Sequence, residues 1–155
     1  MSEEIFHISL NKRNEIELEI PSEDRQSLGT LIEQLTEFLD PELNESKRLF
    51  PTAYPNDPER DAGYQALAQS EMIDQKTESI RLFQKTLMNT ILTIEEAETW
   101  MRVLNDIRLV IGTRLDISQE SKSNKKDFEL EFLYENLSYL TSAFVEVLDR
   151  SLPNS

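Results

Sequence analysis

Asn105, Asp106, Arg108 and Arg114 stand close together in one run, Trp100-Met-Arg-Val-Leu-Asn-Asp-Ile-Arg-Leu-Val-Ile-Gly-Thr-Arg-Leu115. A guanidinium offers donors in a planar fork that matches a carboxylate or phosphate, so the chemistry open to these arginines is anion recognition or internal pairing. The same run is apolar at helical spacing. Leu104, Ile107, Ile111 and Leu115 follow i, i+3, i+7, i+11 on one helical face, and Asn105, Arg108 and Gly112 fall on the face beside it. A polar ridge therefore borders a core ridge, either as a structural hydrogen-bond network or as the floor of a site.

Arg48 and Tyr54 extend the candidate set, with Trp100, to seven residues: Arg48, Tyr54, Trp100, Asn105, Asp106, Arg108 and Arg114. In the structural reading the arginines tie the Arg48 to Tyr54 loop to the Trp100 helix through Asn105, Asp106 and backbone carbonyls. In the functional reading the same guanidinium groups bind an anionic ligand or an acidic segment of a partner, with Tyr54 and Trp100 as aromatic walls. Catalytic residues are not expected. His7 is the only histidine, alternates with Phe6 and Ile8 in a strand pattern, and is expected on the wetter face; there is no cysteine. That inventory argues against a His-rich metal site, a Ser-His-Asp triad and a Cys-His pair. Glu95, Glu96 and Glu98 are acids in a helix first turn, where the dipole favours them without any metal. No metal and no cofactor are expected.

The chain has 155 residues, a size that buries roughly two thirds of the surface its unfolded form exposes. Thirty acidic side chains against 16 basic ones leave a formal charge of −14, a field that repels phosphate backbones and anionic membranes. The imbalance is smallest over residues 61–115. Met1-Ser-Glu-Glu lacks the basic and apolar regions of a signal peptide, and no apolar run approaches the roughly 20 residues that span a bilayer. The expectation is a cytoplasmic protein with neither nucleic acid nor membrane as a partner.

The elements that must position the ridge are mostly helices. Residues 5–20 read as a β-hairpin, Ile5 to Leu10 and Glu15 to Ile20 around Asn11-Lys-Arg-Asn14, the second strand alternating acid and aliphatic. Helices are expected at 22–40, with Ser22 as N-cap; at 57–92, with Asp57 as N-cap and Pro58 at N1; at 94–115, behind a Thr93/Glu96 capping box; and at 127–152. The second helix carries a stripe that includes Tyr64, Leu67, Ile80, Phe83 and Ile91, and the last one turns Phe132, Leu133, Leu137, Leu140, Phe144, Val147 and Leu148 inward. Prolines at 41, 51, 55 and 58 exclude a regular helix between the first two, and Leu49, Phe50 and Tyr54 are expected to anchor that loop. Ser118 to Lys126 is polar throughout and reads as a surface connection. The fold class is mainly α, a four-helix bundle-like single domain with an N-terminal β-hairpin. Open hairpin edges and a long helical stripe suggest a homodimer.

Arg48-Leu-Phe-Pro-Thr-Ala-Tyr54, followed by Trp100 and by Leu-Asn-Asp-Ile-Arg-Leu-Val-Ile-Gly-Thr-Arg-Leu, resembles an uncharacterised actinobacterial family filed as a domain of unknown function, family number two thousand and seventeen. The resemblance spans about Arg48 to Leu148. It implies a helical fold, a gene that often neighbours that of the ClpS protease adaptor, and no established activity. Some members carry the label of transcriptional regulator, but no Lys/Arg-rich recognition helix is evident here and the charge is wrong for nucleic acid. The function expected is a protein-interaction or regulatory module; the alternatives are a small-anion-binding domain using Arg48, Arg108 and Arg114 and, less favoured, an enzyme working through carboxylates and tyrosine.

Overall fold

In the computed structural model, residues 6–38, 56–120 and 125–152 are described. Strand β1 (His7–Leu10) pairs antiparallel with β2 (Ile16–Glu19), His7 opposite Glu19 and Leu10 opposite Ile16. Asn11 builds the turn between them: its Oδ1 accepts from the backbone N–H groups of Arg13 and Glu15 at 2.9 and 3.0 Å. Asn14 closes it in the left-handed region, φ 61°, which Asn tolerates better than most residues. The Asn14 amide also exchanges two hydrogen bonds with the backbone of Leu152, pinning the hairpin tip to the far end of the chain. Along β2 the alternation behaves as its pattern predicts, with Ile16 and Leu18 buried and Glu17 and Glu19 exposed.

Four helices follow: α1 (Ser22–Leu35), α2 (Pro58–Thr86), α3 (Ile94–Glu120) and α4 (Lys125–Arg150). A two-residue strand β3 (Ile91–Leu92) lies between α2 and α3 and pairs with β2, so the sheet has the order β1-β2-β3. Helix α3 is central, packing on α1, α2 and α4, while β1 lies against α4. Trp100 occupies the middle of the core. It is fully buried, its ring 4.4 Å from that of Phe83 and 5.8 Å from that of Phe144, and its indole N–H donates to Thr86 Oγ1 at 2.7 Å. Leu104, Ile107, Ile111 and Leu115 are all buried, as their spacing requires.

Several boundaries differ from expectation, each for a local reason. Ser22 is not a cap: Pro21 occupies the N-cap position with no side-chain cap, and its carbonyl accepts from the Arg25 N–H, so the helix opens one residue early. Helix α1 ends at Leu35 and continues as a 3₁₀ turn over Thr36–Phe38, short of residue 40. Helix α2 stops at Thr86 rather than reaching 92. Asn89 and Thr90 are weak helix formers, and Ile91–Leu92 instead gives β2 the neighbour a bare hairpin would lack; Ile91 is exposed, not part of a helical stripe. Helix α3 runs past Leu115 through Ser118–Glu120, and α4 begins at Lys125 and ends at Arg150, because a polar run without Gly or Pro carries no helix stop. Two caps are as read. Asp57 accepts from the Arg60 N–H with Pro58 at N1, and Thr93 and Glu96 exchange bonds of 3.1 and 2.9 Å. The Arg48 to Tyr54 loop lies outside the described residues, as do the side chains of Tyr64 and Leu67.

Candidate functional site

The polar ridge of α3 does not converge. Successive helical residues are rotated by about 100°, so Arg108 and Arg114, six apart, point about 120° away from one another. Asn105 and Arg108 face α4: Arg108 Nη2 donates to Asn105 Oδ1 at 2.8 Å, and the guanidinium lies 5.8 Å from the Tyr134 ring centre. Asp106 faces α2, where Lys76 Nζ donates to both its carboxylate oxygens at 3.0 and 3.1 Å. Its partner is thus a lysine rather than an arginine of the ridge. Burial pushes the Asp106 carboxyl up from its usual range, and Lys76 and Arg102 pull it only part of the way back. Arg114 is exposed beside a cavity of about 80 Å³ that also meets Gln34 and Leu133. Trp100, fully buried, cannot wall a site, and Arg48 and Tyr54 lie outside the described residues.

The buried cation the ridge does not include is Arg25, 4% exposed. Its Nε donates to Ile20 O at 2.9 Å, its Nη1 to Leu87 O and Asn89 O at 2.7 and 2.6 Å, and its Nη2 reaches Leu18 O at 3.4 Å. One side chain therefore joins β2, the start of α1 and the turn between α2 and β3. Desolvation lowers its pKa from the ordinary value, but a guanidinium starts high enough to stay protonated. The carbonyls at the α2 C-terminus favour it further, since that end of a helix carries partial negative charge. A sequence signal for it existed: Arg25 is in phase with Leu28, Ile32 and Leu35, on the core stripe of α1.

The open part of the molecule lies where α1 meets α4. A groove of about 320 Å³ runs between α1 and α4, its floor made by Phe6, Leu28, Leu31, Leu133, Leu137 and Leu140. Asp24, Ser27 and Asn136 supply its polar groups, and Phe132 stands on its wall 63% exposed. Past Leu31 and Leu133 lies the smaller cavity at Arg114. The inward placement expected of Phe132 is therefore wrong. Leu133, Leu137, Leu140, Phe144 and Val147 form the α4 stripe, and Phe132 is one residue out of phase with it, on the side of Asn136 and Tyr139. A second groove, of about 370 Å³, follows α3 and α4 past Asn105, Arg108, Ser138 and Ser142 to Glu146 and Asp149; beside it Arg108 Nε and Ser138 Oγ are buried without hydrogen-bond partners.

His7 is exposed, as its strand position suggests. Among the described residues no group of three His, Cys, Asp or Glu side chains is placed to hold a metal ion, and no helix is long and apolar enough to cross a membrane. Residues 6–148 match the family model described as Domain of unknown function (DUF2017), a span that takes in the N-terminal hairpin as well as the four helices. No curated protein and no solved structure matches the chain.

Proposed function

The chain belongs to the DUF2017 family, and from that membership, which assigns no activity, we propose that it is a protein-interaction module whose docking surface is the groove between α1 and α4. The observation that carries this reading is Phe132: a large aromatic side chain 63% exposed on the wall of an apolar groove. Aromatic anchors in apolar pockets supply much of the energy of protein contacts, and an apolar concavity rimmed by polar groups is the usual mark of such a surface. The groove is also built on two helices of the folded body, so it needs no rearrangement to receive a partner.

A photo-crosslinking amino acid in place of Phe132, with Arg81 on α2 as the comparison position, tests the reading in native lysate. The expected result is a protein captured at 132 and not at 81 that binds the purified chain stoichiometrically and is lost in Phe132→Ser. Equal capture at both positions, or a purified partner indifferent to Phe132→Ser, overturns it.

A second reading has one observation behind it. Arg108 Nε and Ser138 Oγ lie unpartnered at the α3–α4 groove, which suits a small anion, now with Arg108 as its cation in place of three converging arginines. Glu146 and Asp149 in the same groove, and the charge of −14, oppose it. Inorganic phosphate titrated by calorimetry, with Arg108→Gln as the comparison, distinguishes this reading from the first.

A further inference from the structure

Burial falls from one strand of the hairpin to the other. On β2, Ile16 and Leu18 are 0 and 3% exposed, whereas Leu10 and Ile8, opposite them on the same face of β1, are only half-buried. The register also fixes where the backbone groups of β1 point. Leu18 N–H donates to Thr90 O at 2.8 Å, so Leu18 turns its backbone groups to β3, and Glu17 and Glu19 turn theirs to Ser9 and His7 of β1. Ile8 and Leu10 therefore present N–H and C=O groups on the outer edge of β1, and among the described residues nothing bonds to them there. Edge strands are ordinarily protected by shortness, by Lys or Pro, or by a bulge. The opposite edge, β3, is only two residues long. Strand β1 has four, His7-Ile-Ser-Leu10, with no lysine, carboxylate or proline and in unbroken register with β2.

The charges flanking this strand are complementary to themselves when the chain is reversed. Lys12 and Arg13 stand four and five residues after Ile8, and Glu4 and Glu3 stand four and five before it, with no carboxylate between Ile5 and Asn14. Both cations are exposed, and among the described residues neither is ion-paired. We infer that the partner of the β1 edge is a second copy of the chain, its β1 running antiparallel to the first about a twofold axis at Ile8. The inference stands apart from the groove reading, since it rests on the strand edge and its flanking charges. Ile8 pairs with Ile8 of the other copy and Leu10 with Phe6, through the backbone groups that face outward in both. The two sheets of three strands become one of six, with Phe6, Ile8 and Leu10 of both copies side by side on its core face. Glu4 and Glu3 of each copy then meet Lys12 and Arg13 of the other, whereas a parallel pairing would set like charges together. The formal charge of −14 repels two copies at long range, and the contact is made in a stretch, residues 3–13, whose acids and bases balance. A strand from an unrelated protein satisfies the backbone groups without this reversed charge pattern.

Light scattering on the intact chain over a concentration series tests this. The mass is expected to rise from 18.1 kDa toward twice that value as concentration increases. Ile8→Pro removes an outward N–H that the single chain leaves unused, and it should hold the mass at one chain while the circular dichroism spectrum is unchanged; Ile8→Val, which keeps that N–H, should still dimerise. Two further variants reverse the charges at one end each: Lys12→Glu with Arg13→Glu in one protein, Glu3→Lys with Glu4→Lys in the other. Each sets like charges opposite one another in its own dimer and is expected to stay monomeric where wild type is dimeric. Mixed in equal amounts, they restore opposite charges at both ends, and the mass doubles again. This arm decides the matter even if Ile8→Pro fails to fold. A wild-type mass fixed at 18.1 kDa at every concentration overturns the second copy and leaves the edge to a strand of another protein. A dimer that survives in folded Ile8→Pro overturns pairing through β1. Charge-reversed variants that dimerise alone as readily as wild type, or that stay monomeric on mixing, overturn the antiparallel register about Ile8.

Discussion

Arg25, at the start of α1, and Phe132, on α4, treat their surroundings in opposite ways. Around Arg25 a full positive charge is removed from water and given back four backbone carbonyls from three elements, so the region is closed both in packing and in hydrogen bonding. Around Phe132 an aromatic ring is left in water above an apolar groove. A buried cation with complete partners is a structural device, because its chemistry is used up inside the fold. An apolar wall with incomplete cover has contacts still to make. Among the charged residues that stand out in the sequence, Asp106 is paired inside the fold by Lys76, whereas Arg108 keeps an unpartnered Nε and Arg114 is exposed.

The comparison is broken most easily from the closed side. Trp100→Ala removes the centre of the Phe83, Trp100 and Phe144 cluster and leaves Thr86 without its donor; a loss of about 3–5 kcal/mol in urea denaturation is expected, with Ile107→Ala in the lower part of the range 2–5 kcal/mol. A loss under about 1 kcal/mol at both positions would mean that α3 is not the core helix. Arg25→Met comes next. Methionine fills much of the volume but strands the carbonyls of Ile20, Leu87 and Asn89, for an expected loss of about 3 kcal/mol. Arg25→Lys, which keeps the charge and three of the donors, recovers part of that loss if carbonyl satisfaction is the reason; if it fares no better than methionine, the planar fork itself is what the site needs.

What the sequence made legible follows the same division. Capping at Asp57 and at Thr93/Glu96, the two strands of the hairpin and the core face of α3 are local properties, written in spacings of two, three and four residues. The third strand was not legible, since Ile91–Leu92 is strand only because β2 lies beside it. The set of Asn105, Asp106, Arg108 and Arg114 looked like one site because its members are close in sequence, yet the rotation of the helix sends them toward α2, α4 and α1 separately. Arg25 and Phe132 carried weak signals of phase, one on its stripe and one a residue off it. Reading those signals needs the stripe to be known in advance, and the partner elements that decide it are distant in sequence.

Between the two regions stands the Lys76–Asp106 pair, about one fifth exposed on the lysine side and less on the aspartate side. Lys76→Met leaves the Asp106 carboxylate partly buried with only the more distant Arg102 for compensation, and about 1–3 kcal/mol of stability is lost at neutral pH. The pH dependence has a definite sign. The folded-state pKa of Asp106 is raised above its unfolded value, so the stability it contributes is full below the ordinary aspartate pKa, about 3.9, and is lost as pH rises through the raised value. Lys76→Met raises that pKa further, so the difference between variant and wild type should shrink as pH is lowered toward 4. A difference that stays constant over that range would show that the charge of Asp106 is not what Lys76 compensates.

The smallest expected effect sharpens the comparison most. Phe132→Ser should change stability by no more than about 0.5 kcal/mol, because a side chain 63% exposed loses little burial when it is shortened. Placed beside Arg25→Met, the pair gives a double contrast: the substitution in the closed region costs stability, and the substitution in the open region costs binding alone. The floor of the groove provides the internal check. Leu137 and Leu140 are buried in the floor of the groove, so Leu137→Ala should cost stability in the usual range for a core leucine, about 2–5 kcal/mol, even though it lines the same groove as Phe132. If Phe132→Ser also costs more than about 1.5 kcal/mol, the ring is packed against something in the folded monomer. The groove would then be a covered part of the core, and the distinction between a closed and an open region would fail at the residue that defines it.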